Sequence, residues 1–292
     1  MQIQGMALSP EQILDGWRDL VRTNDHLHLP QIAVHLGVPE AALVAARIGT
    51  GAVRLVPDLA KVLEPITEWR RVLVVCSTGL GVLMPMDFVK ETRVIGGELT
   101  LEGDALHARI DLGSVAEVYL FEDRETGPGH SKTIQAFNGA GLPVLKISLF
   151  HKPSFRAAKA WTSTLAHERQ SRTWKPASPI LKRPDRLDID NERGQEHFVL
   201  RLQESVAARE EFWMEGYSPG AHVRWRGRLD GLRQDGPMVH LHQHSLRAHL
   251  NSARIVSAQV SPADADTMVY SGAGGPAVAI GRAGTNGDGG AL

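Results

Sequence analysis

The sequence has little cysteine, no excess of either charge and no long apolar run. Its one cysteine, Cys76, excludes a disulfide framework and a cysteine-rich metal site, and it fits a reducing compartment. Lysine and arginine number 32 against 33 acidic residues, so the net charge of -1 gives no general attraction for nucleic acid or an anionic membrane. No stretch approaches the roughly 18 apolar residues of a spanning helix, and the first residues lack a signal-peptide pattern. We therefore expect a cytoplasmic globular protein that binds no nucleic acid and is not embedded in a membrane.

The composition is that of an ordinary globular protein, 42% hydrophobic and 22% charged. A length of 292 residues is enough for two domains. Helical signals come first, because Ser9, Pro10 and Glu11 provide an N-cap, a proline at the first helical position and an acid in the first turn. From Arg71 onward, short apolar or alternating runs between glycine turns predict strands.

Two segments of the chain repeat one another. Residues 137–147, FNGAGLPVLKI, match residues 270–280, YSGAGGPAVAI, with the aromatic residue, the Gly-Ala-Gly turn, the proline and the final isoleucine in register. We predict an α+β protein made by tandem duplication, each half a large antiparallel β-sheet flanked by helices. The predicted segments are a first repeat at 1–170, an exposed basic and proline-rich linker at 171–191, a shortened second repeat at 192–283 and a disordered tail at 284–292.

Two glycine-rich stretches invite a functional interpretation. Residues 74–81, VVCSTGLG, look like a strand that leads into a phosphate-binding loop with a cysteine nucleophile. Met84-Pro85-Met86 breaks the helix that such a loop needs, so we predict a buried cysteine at the end of a strand. The Gly272–Pro276 run has glycines of the dinucleotide-binding type, but it lies between short strands and is predicted to be a turn.

Histidines are concentrated at residues 240–249. His240, His242 and His244 alternate along a predicted strand with His249 close behind, so three imidazoles could meet on one face. Imidazole suits Zn, Cu, Ni or Fe. The alternative is an exposed strand that is merely rich in histidine.

Another histidine, His197, lies in residues 194–202, the start of a predicted helix. At about 100° per residue, the inward side of this helix carries apolar residues and His197 falls on nearly the opposite side. The predicted inward residues are Phe198, Val199, Leu202, Val206 and Trp213. His197 is therefore either an ordinary surface histidine or the wall of a ligand site.

Several motifs together resemble the bacterial hemin-degrading factor family, the HemS/ChuS/HmuS type. They cover most of residues 10–165 and, more thinly, 195–283. The motifs are LGVPEA at 36–41, AAR at 45–47, LHARIDL at 106–112, VAEV at 115–118, SKTIQAF at 131–137 and VLKI at 144–147.

The resemblance implies a haem site in a cleft between the repeats, for haem b (iron protoporphyrin IX). His197 would be the axial iron ligand, and Arg109 would be the catalytic donor on the other side of the iron. Arg109 shares a predicted strand face with Asp111, which is its alternative partner. Arg282 would bind a haem propionate, with Lys182, Arg183 and Arg186 of the linker as alternatives.

The resemblance further implies a role in bacterial haem uptake, in which the protein either only carries haem or also degrades it oxidatively. No flavin or nicotinamide motif is present, so an oxygen-dependent haem-degrading enzyme would need an external reductant. The expected partners are haem and either an inner-membrane haem importer or a haem-accepting enzyme. The alternatives are a non-catalytic haem carrier or sensor, and a divalent metal-binding protein that uses the His240–His249 cluster. Residues 76–85 depart from the family pattern, which bears on degradation more than on binding.

Overall fold

The computed structural model describes residues 8–24, 27–123, 131–177, 192–262 and 264–282, which fold as an α+β protein. Two compact units can be distinguished, one made of Met1–Pro65 and Gly113–Leu181, the other of Ile66–Leu112 and Lys182–Leu292. The predicted linker is described only as far as residue 177, and the predicted tail lies outside the described residues.

Helices lie at both ends of the first repeat and at the start of the second, with strands between and after them. The helices are α1 (Pro10–Thr23), α2 (Leu29–Leu36), α3 (Glu40–Ala46), α4 (Leu59–Val62), α5 (Lys152–Ser163) and α6 (Glu192–Ala208). The strands are β1 (Ala52–Leu55), β2 (Val72–Ser77), β3 (Gly81–Asp87), β4 (Glu91–Ile95), β5 (Glu98–Glu102), β6 (Leu106–Asp111), β7 (Glu117–Asp123), β8 (Ser131–Phe137), β9 (Pro143–Ser148), β10 (Phe212–Ser218), β11 (Ala221–Gly227), β12 (Arg233–Asp235), β13 (Met238–His242), β14 (Leu246–Asn251), β15 (Ser257–Val260), β16 (Met268–Gly272) and β17 (Gly275–Arg282).

The first unit packs α1, α2 and α3 against antiparallel strands that follow one another in the order β1-β7-β8-β9. The predicted N-cap begins α1, because the Ser9 hydroxyl accepts from the Gln12 amide at 3.2 Å and the Gln12 side chain accepts from the Ser9 amide at 2.8 Å. Trp17 is 1% exposed, and its ring lies 6.3 Å from that of Phe121. Helix α3 has every residue buried, so it forms the centre of this core.

The second unit contains two arrays of antiparallel strands. One has the order β2-β3-β14-β13-β12, and the other is an eight-stranded sheet with the order β15-β16-β17-β10-β11-β6-β5-β4. Helix α6 belongs to this unit and packs beside β16, where Phe198 meets Tyr270 in an edge-to-face contact at 4.9 Å. The eight-stranded sheet and α6 together position the residues that the sequence singles out.

The strand order confirms the tandem duplication. Strands β2 to β9 and β10 to β17 each run as a hairpin, a three-strand meander, a short 3₁₀ turn and a second three-strand meander. The last strand of each first meander pairs with the hairpin of the other repeat, β6 with β11 and β14 with β3. This exchange explains why the compact units differ from the predicted segments, since β2 to β6 of the first repeat lie in the second unit.

Both glycine-rich stretches are structural, as predicted. Cys76 is buried in β2, and burial raises the pKa of its thiol to about 12, so it is not a nucleophile at neutral pH. The residues after it turn directly into β3, with Leu83 opposite Cys76, so no helix follows the loop. The run at Gly272–Gly275 closes the β16–β17 hairpin.

No single helix among the described residues is long and apolar enough to cross a membrane. Helices α2 and α3, bent by 99° where they meet, pass that test of length and composition only when they are taken together.

Candidate functional site

Helix α6 carries His197 and is fixed by two buried residues. Phe198 and Leu202 are fully buried, whereas Val199 and Val206 are only half-buried. The prediction that Trp213 continues this face is wrong, because Arg209 adopts a left-handed conformation with φ of 52° and ends the helix. Trp213 lies instead in β10.

His197 is exposed on α6, and one of its ring nitrogens has a partner on the sheet that α6 packs against. Its Nδ1 lies 2.9 Å from the hydroxyl oxygen of Tyr270 on β16. Tyr270 is fully buried, and burial raises the pKa of its hydroxyl well above the usual value, so the group stays protonated. The Tyr270 oxygen can accept a hydrogen bond from the Nδ1–H group, which leaves the Nε2 lone pair of His197 for a metal.

The helix surface beside His197 is partly apolar. Leu200 lies three residues further along α6, so it neighbours His197 on the cylinder, and it is 55% exposed. On the adjacent side, a groove runs between α6 and the β12–β13 turn. Its lining residues include Val199, Leu200 and Pro237.

Arg109 projects from the eight-stranded sheet. In β6, Ala108 and Ile110 are buried, and Arg109 points to the other face together with His107 and Asp111. Its guanidinium Nη2 lies 3.4 Å from Nδ1 of His222, the residue directly opposite on β11. Burial lowers the pKa of His222 and the charge of Arg109 lowers it further, although Glu215 opposes this, so a neutral imidazole can accept from Arg109.

Further polar residues surround this pair. Glu215 is buried at 4% exposure and accepts from the Tyr217 hydroxyl at 3.0 Å and from Arg224 at 3.3 Å. The Arg224 guanidinium also stacks 4.3 Å from the centre of the Trp213 ring. Sequence reasoning missed this group, because its members come together only through the pairing of β10, β11 and β6.

His197 and Arg109 are not in contact in the described residues. The strand register places Tyr270 on the same face as Ala108, so Arg109 emerges on the opposite face. Strands β16 and β6 are four strands apart in the sheet order, a separation of about 19 Å at the usual strand spacing. The distal role of Arg109 stays a prediction.

The remaining predicted haem contacts are at the end of β17 and in the linker. Arg282 is exposed, and its Nε lies 3.7 Å from a carboxylate oxygen of Glu210. Lys182, Arg183 and Arg186 lie outside the described residues.

Three of the four histidines singled out at residues 240–249 cluster in the structure. His240, His242 and His249 come together, whereas His244 follows the end of β13 and bonds to Arg71 at 2.7 Å. The expectation that His244 shares the face is wrong, because the turn that leads to β14 begins before it.

Residues 37–167 match the family model of the haemin-degrading HemS/ChuX domain. The match confirms, for this segment, the resemblance found in the sequence. Within the HemS/ChuX segment, the motifs LGVPEA and VLKI contribute Glu40 and Lys146, which form a buried ion pair. Two of the motifs that carry the resemblance therefore meet in the buried part of this segment. Arg109 lies inside the HemS/ChuX segment, and His197 lies outside it.

Two solved structures share the fold of the HemS/ChuX segment and of the rest of the chain. Holo-PhuS, a heme-binding protein from Pseudomonas aeruginosa, is 19% identical with a TM-score of 0.78, covering 96% of this chain and 95% of that one. The heme degrading enzyme ChuS of Escherichia coli O157:H7 is 17% identical with a TM-score of 0.77, covering 96% and 95%. At these identities the likeness shows a common fold. No curated protein matches the chain in sequence.

Proposed function

We propose that the protein binds haem b in the cytoplasm of a haem-importing bacterium, with His197 as the axial ligand of the iron. The observation that carries the proposal is the hydrogen bond between Nδ1 of the exposed His197 and the buried Tyr270, which holds the ring through the nitrogen that would not bind the iron. Metal-ligating histidines characteristically have their other nitrogen held by such a partner. The fold shared with holo-PhuS, a heme-binding protein, supports the same ligand.

The direct test is to titrate hemin into the tag-free protein and follow the absorbance. We expect a shifted Soret band that saturates at one equivalent. A change that fails to saturate, or that an unrelated protein of similar size reproduces, would remove haem as the ligand.

Tyr270→Phe tests the arrangement around His197. The substitution removes only the hydroxyl and keeps the ring that packs edge-to-face on Phe198. We expect the hemin affinity to fall by about tenfold, at the lower end of what the loss of an outer-shell partner costs a metal site. The matched control is Tyr217→Phe, which removes a part-buried hydroxyl that bonds to Glu215 instead. Equal affinities for the two variants would show that the Tyr270 hydroxyl does not act through His197.

We propose haem carriage as the primary role and oxidative degradation with an external reductant as the second candidate. The fold of ChuS, a heme degrading enzyme, supports the second candidate. Loaded protein given ascorbate and oxygen distinguishes them, because a carrier keeps its haem spectrum and a degrading enzyme loses it. The proposed partners are an inner-membrane importer that supplies haem or an enzyme that accepts it.

Arg109 and Arg282 have proposed roles that are separate from that of His197. Arg109 is proposed as the donor on the other side of the iron, a role that requires the haem-bound protein to bring it nearer to His197 than the described strand order does. Since its described partner is His222, Arg109→Ala should leave hemin affinity within about twofold and should slow any oxygen-dependent loss of the spectrum. Arg282 is proposed to bind a propionate, because its exposed pair with Glu210 costs little to break.

A further inference from the structure

We propose that His240, His242 and His249 form a binding site for a divalent transition-metal ion, independent of haem. The three residues lie on the β13–β14 hairpin in the second unit. His240 and His249 are directly opposite in the strand register, and His242 follows two residues after His240, so all three side chains emerge on one face.

The nitrogen atoms of these side chains already converge. One ligand nitrogen from each histidine lies within 4.8 Å of the others, and Nδ1 of His240 is 2.7 Å from Nδ1 of His249. The rings of His240 and His242 both meet His249 edge to face, at 5.0 and 5.2 Å between centroids. Tetrahedral zinc bound at about 2.0–2.1 Å needs nitrogens about 3.3 Å apart, so small ring rotations suffice.

The scaffold beneath the cluster is rigid. Val239, Leu241, Ala248 and Leu250 alternate with the histidines and are completely buried on the opposite face. Strand β14 also pairs with β3, which places Val82 opposite His249. His240 and His249 are half-buried, so their rings have limited freedom. Metal binding would therefore cost little side-chain conformational entropy.

The donor atoms and the charges around them indicate which class of ion would bind. Arg233 is opposite His240 and Arg247 is opposite His242, and both arginines are exposed, so water and salt screen them. The donor set consists of imidazoles alone, which favours zinc, nickel or copper over magnesium or calcium. Three neutral ligands leave a fourth position open, where water or an anion facing the two arginines would complete the coordination.

Without a metal, the 2.7 Å contact between His240 and His249 is an ordinary hydrogen bond in which one imidazole donates and the other accepts. Zinc binding at both Nδ1 atoms would require the donating imidazole to carry its proton on Nε2 instead, so that both rings stay neutral and each offers an Nδ1 lone pair to the ion. Isothermal titration of the tag-free, haem-free full chain with zinc sulfate tests this, with nickel chloride as a second probe. We expect one saturable site in the wild type.

Alanine variants test whether zinc binds at this cluster and not at other histidines. His249→Ala should weaken zinc binding by at least about tenfold, since the loss of a ligand exceeds the loss of an outer-shell partner. His244→Ala, in the same hairpin turn, and His197→Ala should both stay within about twofold of the wild type. Absence of saturable binding in the wild type, unchanged binding in His249→Ala, or equal losses in His244→Ala would overturn the proposal.

Cobalt absorbance provides a measurement on the unaltered protein. Cobalt(II) chloride should give intense visible bands of four-coordinate cobalt, and these bands should disappear on addition of zinc. If the protein gave nothing but the weak bands of six-coordinate cobalt, the proposed site would be overturned. This measurement does not depend on whether His249→Ala folds. Because the cluster shares no residue with the proposed haem site, zinc binding can fail while hemin binding persists, and the reverse.

Discussion

Replacing His197 by alanine is expected to lower hemin affinity by about a hundredfold and to move the Soret band toward that of free hemin. Loss of an outer-shell partner alone costs a metal site 10- to 100-fold, and His197→Ala removes the proposed ligand itself. The side chain is exposed on α6, so the substitution creates no cavity in the core. Absorbance titration of both proteins with hemin measures the change.

The controls for His197 separate ligation from structure. His197→Asn can keep a hydrogen bond to the Tyr270 hydroxyl oxygen by donating from its side-chain amide nitrogen, but it provides no imidazole nitrogen. We expect it to bind hemin as poorly as His197→Ala. His35→Ala removes another exposed helical histidine, in α2, and should bind like the wild type. An unchanged Soret band and affinity in both His197 variants would exclude His197 as the ligand.

Local features of the fold could be predicted from the sequence, because they depend on neighbouring residues. Ser9 and Pro10 mark the start of α1, and the glycine turn at residues 272–275 marks a hairpin. The end of α6 could not be predicted. Arg209 takes the left-handed conformation that glycine usually supplies, so no residue type marks the boundary there.

In the candidate sites too, features that depend on neighbouring residues could be predicted, and contacts between distant residues could not. The outward position of His197 on α6 follows from helical periodicity. Its partner Tyr270 is 73 residues away, and the partner of Arg109, His222, is 113 residues away. Both contacts depend on which strands neighbour one another in the sheet. Alternation placed His240 and His242 on one face, but only the hairpin register selects His249 as the third member.

The second large effect concerns the stability of the HemS/ChuX segment, through the ion pair between Glu40 in α3 and Lys146 in β9. Both side chains are buried, at 6% and 9% exposure. Lys146→Met would leave the Glu40 carboxylate buried without its cation. We expect the free energy of unfolding to fall by about 3–5 kcal/mol, the usual cost of breaking a buried pair from one side. Urea unfolding followed by circular dichroism measures it.

A double substitution shows whether the loss comes from the unpaired charge or from packing. Glu40→Leu combined with Lys146→Met removes both charges, and we expect it to recover most of the stability, because the desolvation of a buried pair offsets much of its attraction. The second repeat is a natural precedent, since Ala279 stands at the position that matches Lys146 and is fully buried there. Arg18→Ala breaks an exposed pair with Asp15 and should cost less than about 1 kcal/mol. If the double variant is as unstable as Lys146→Met, packing of the long side chains, and not charge pairing, holds α3 against β9.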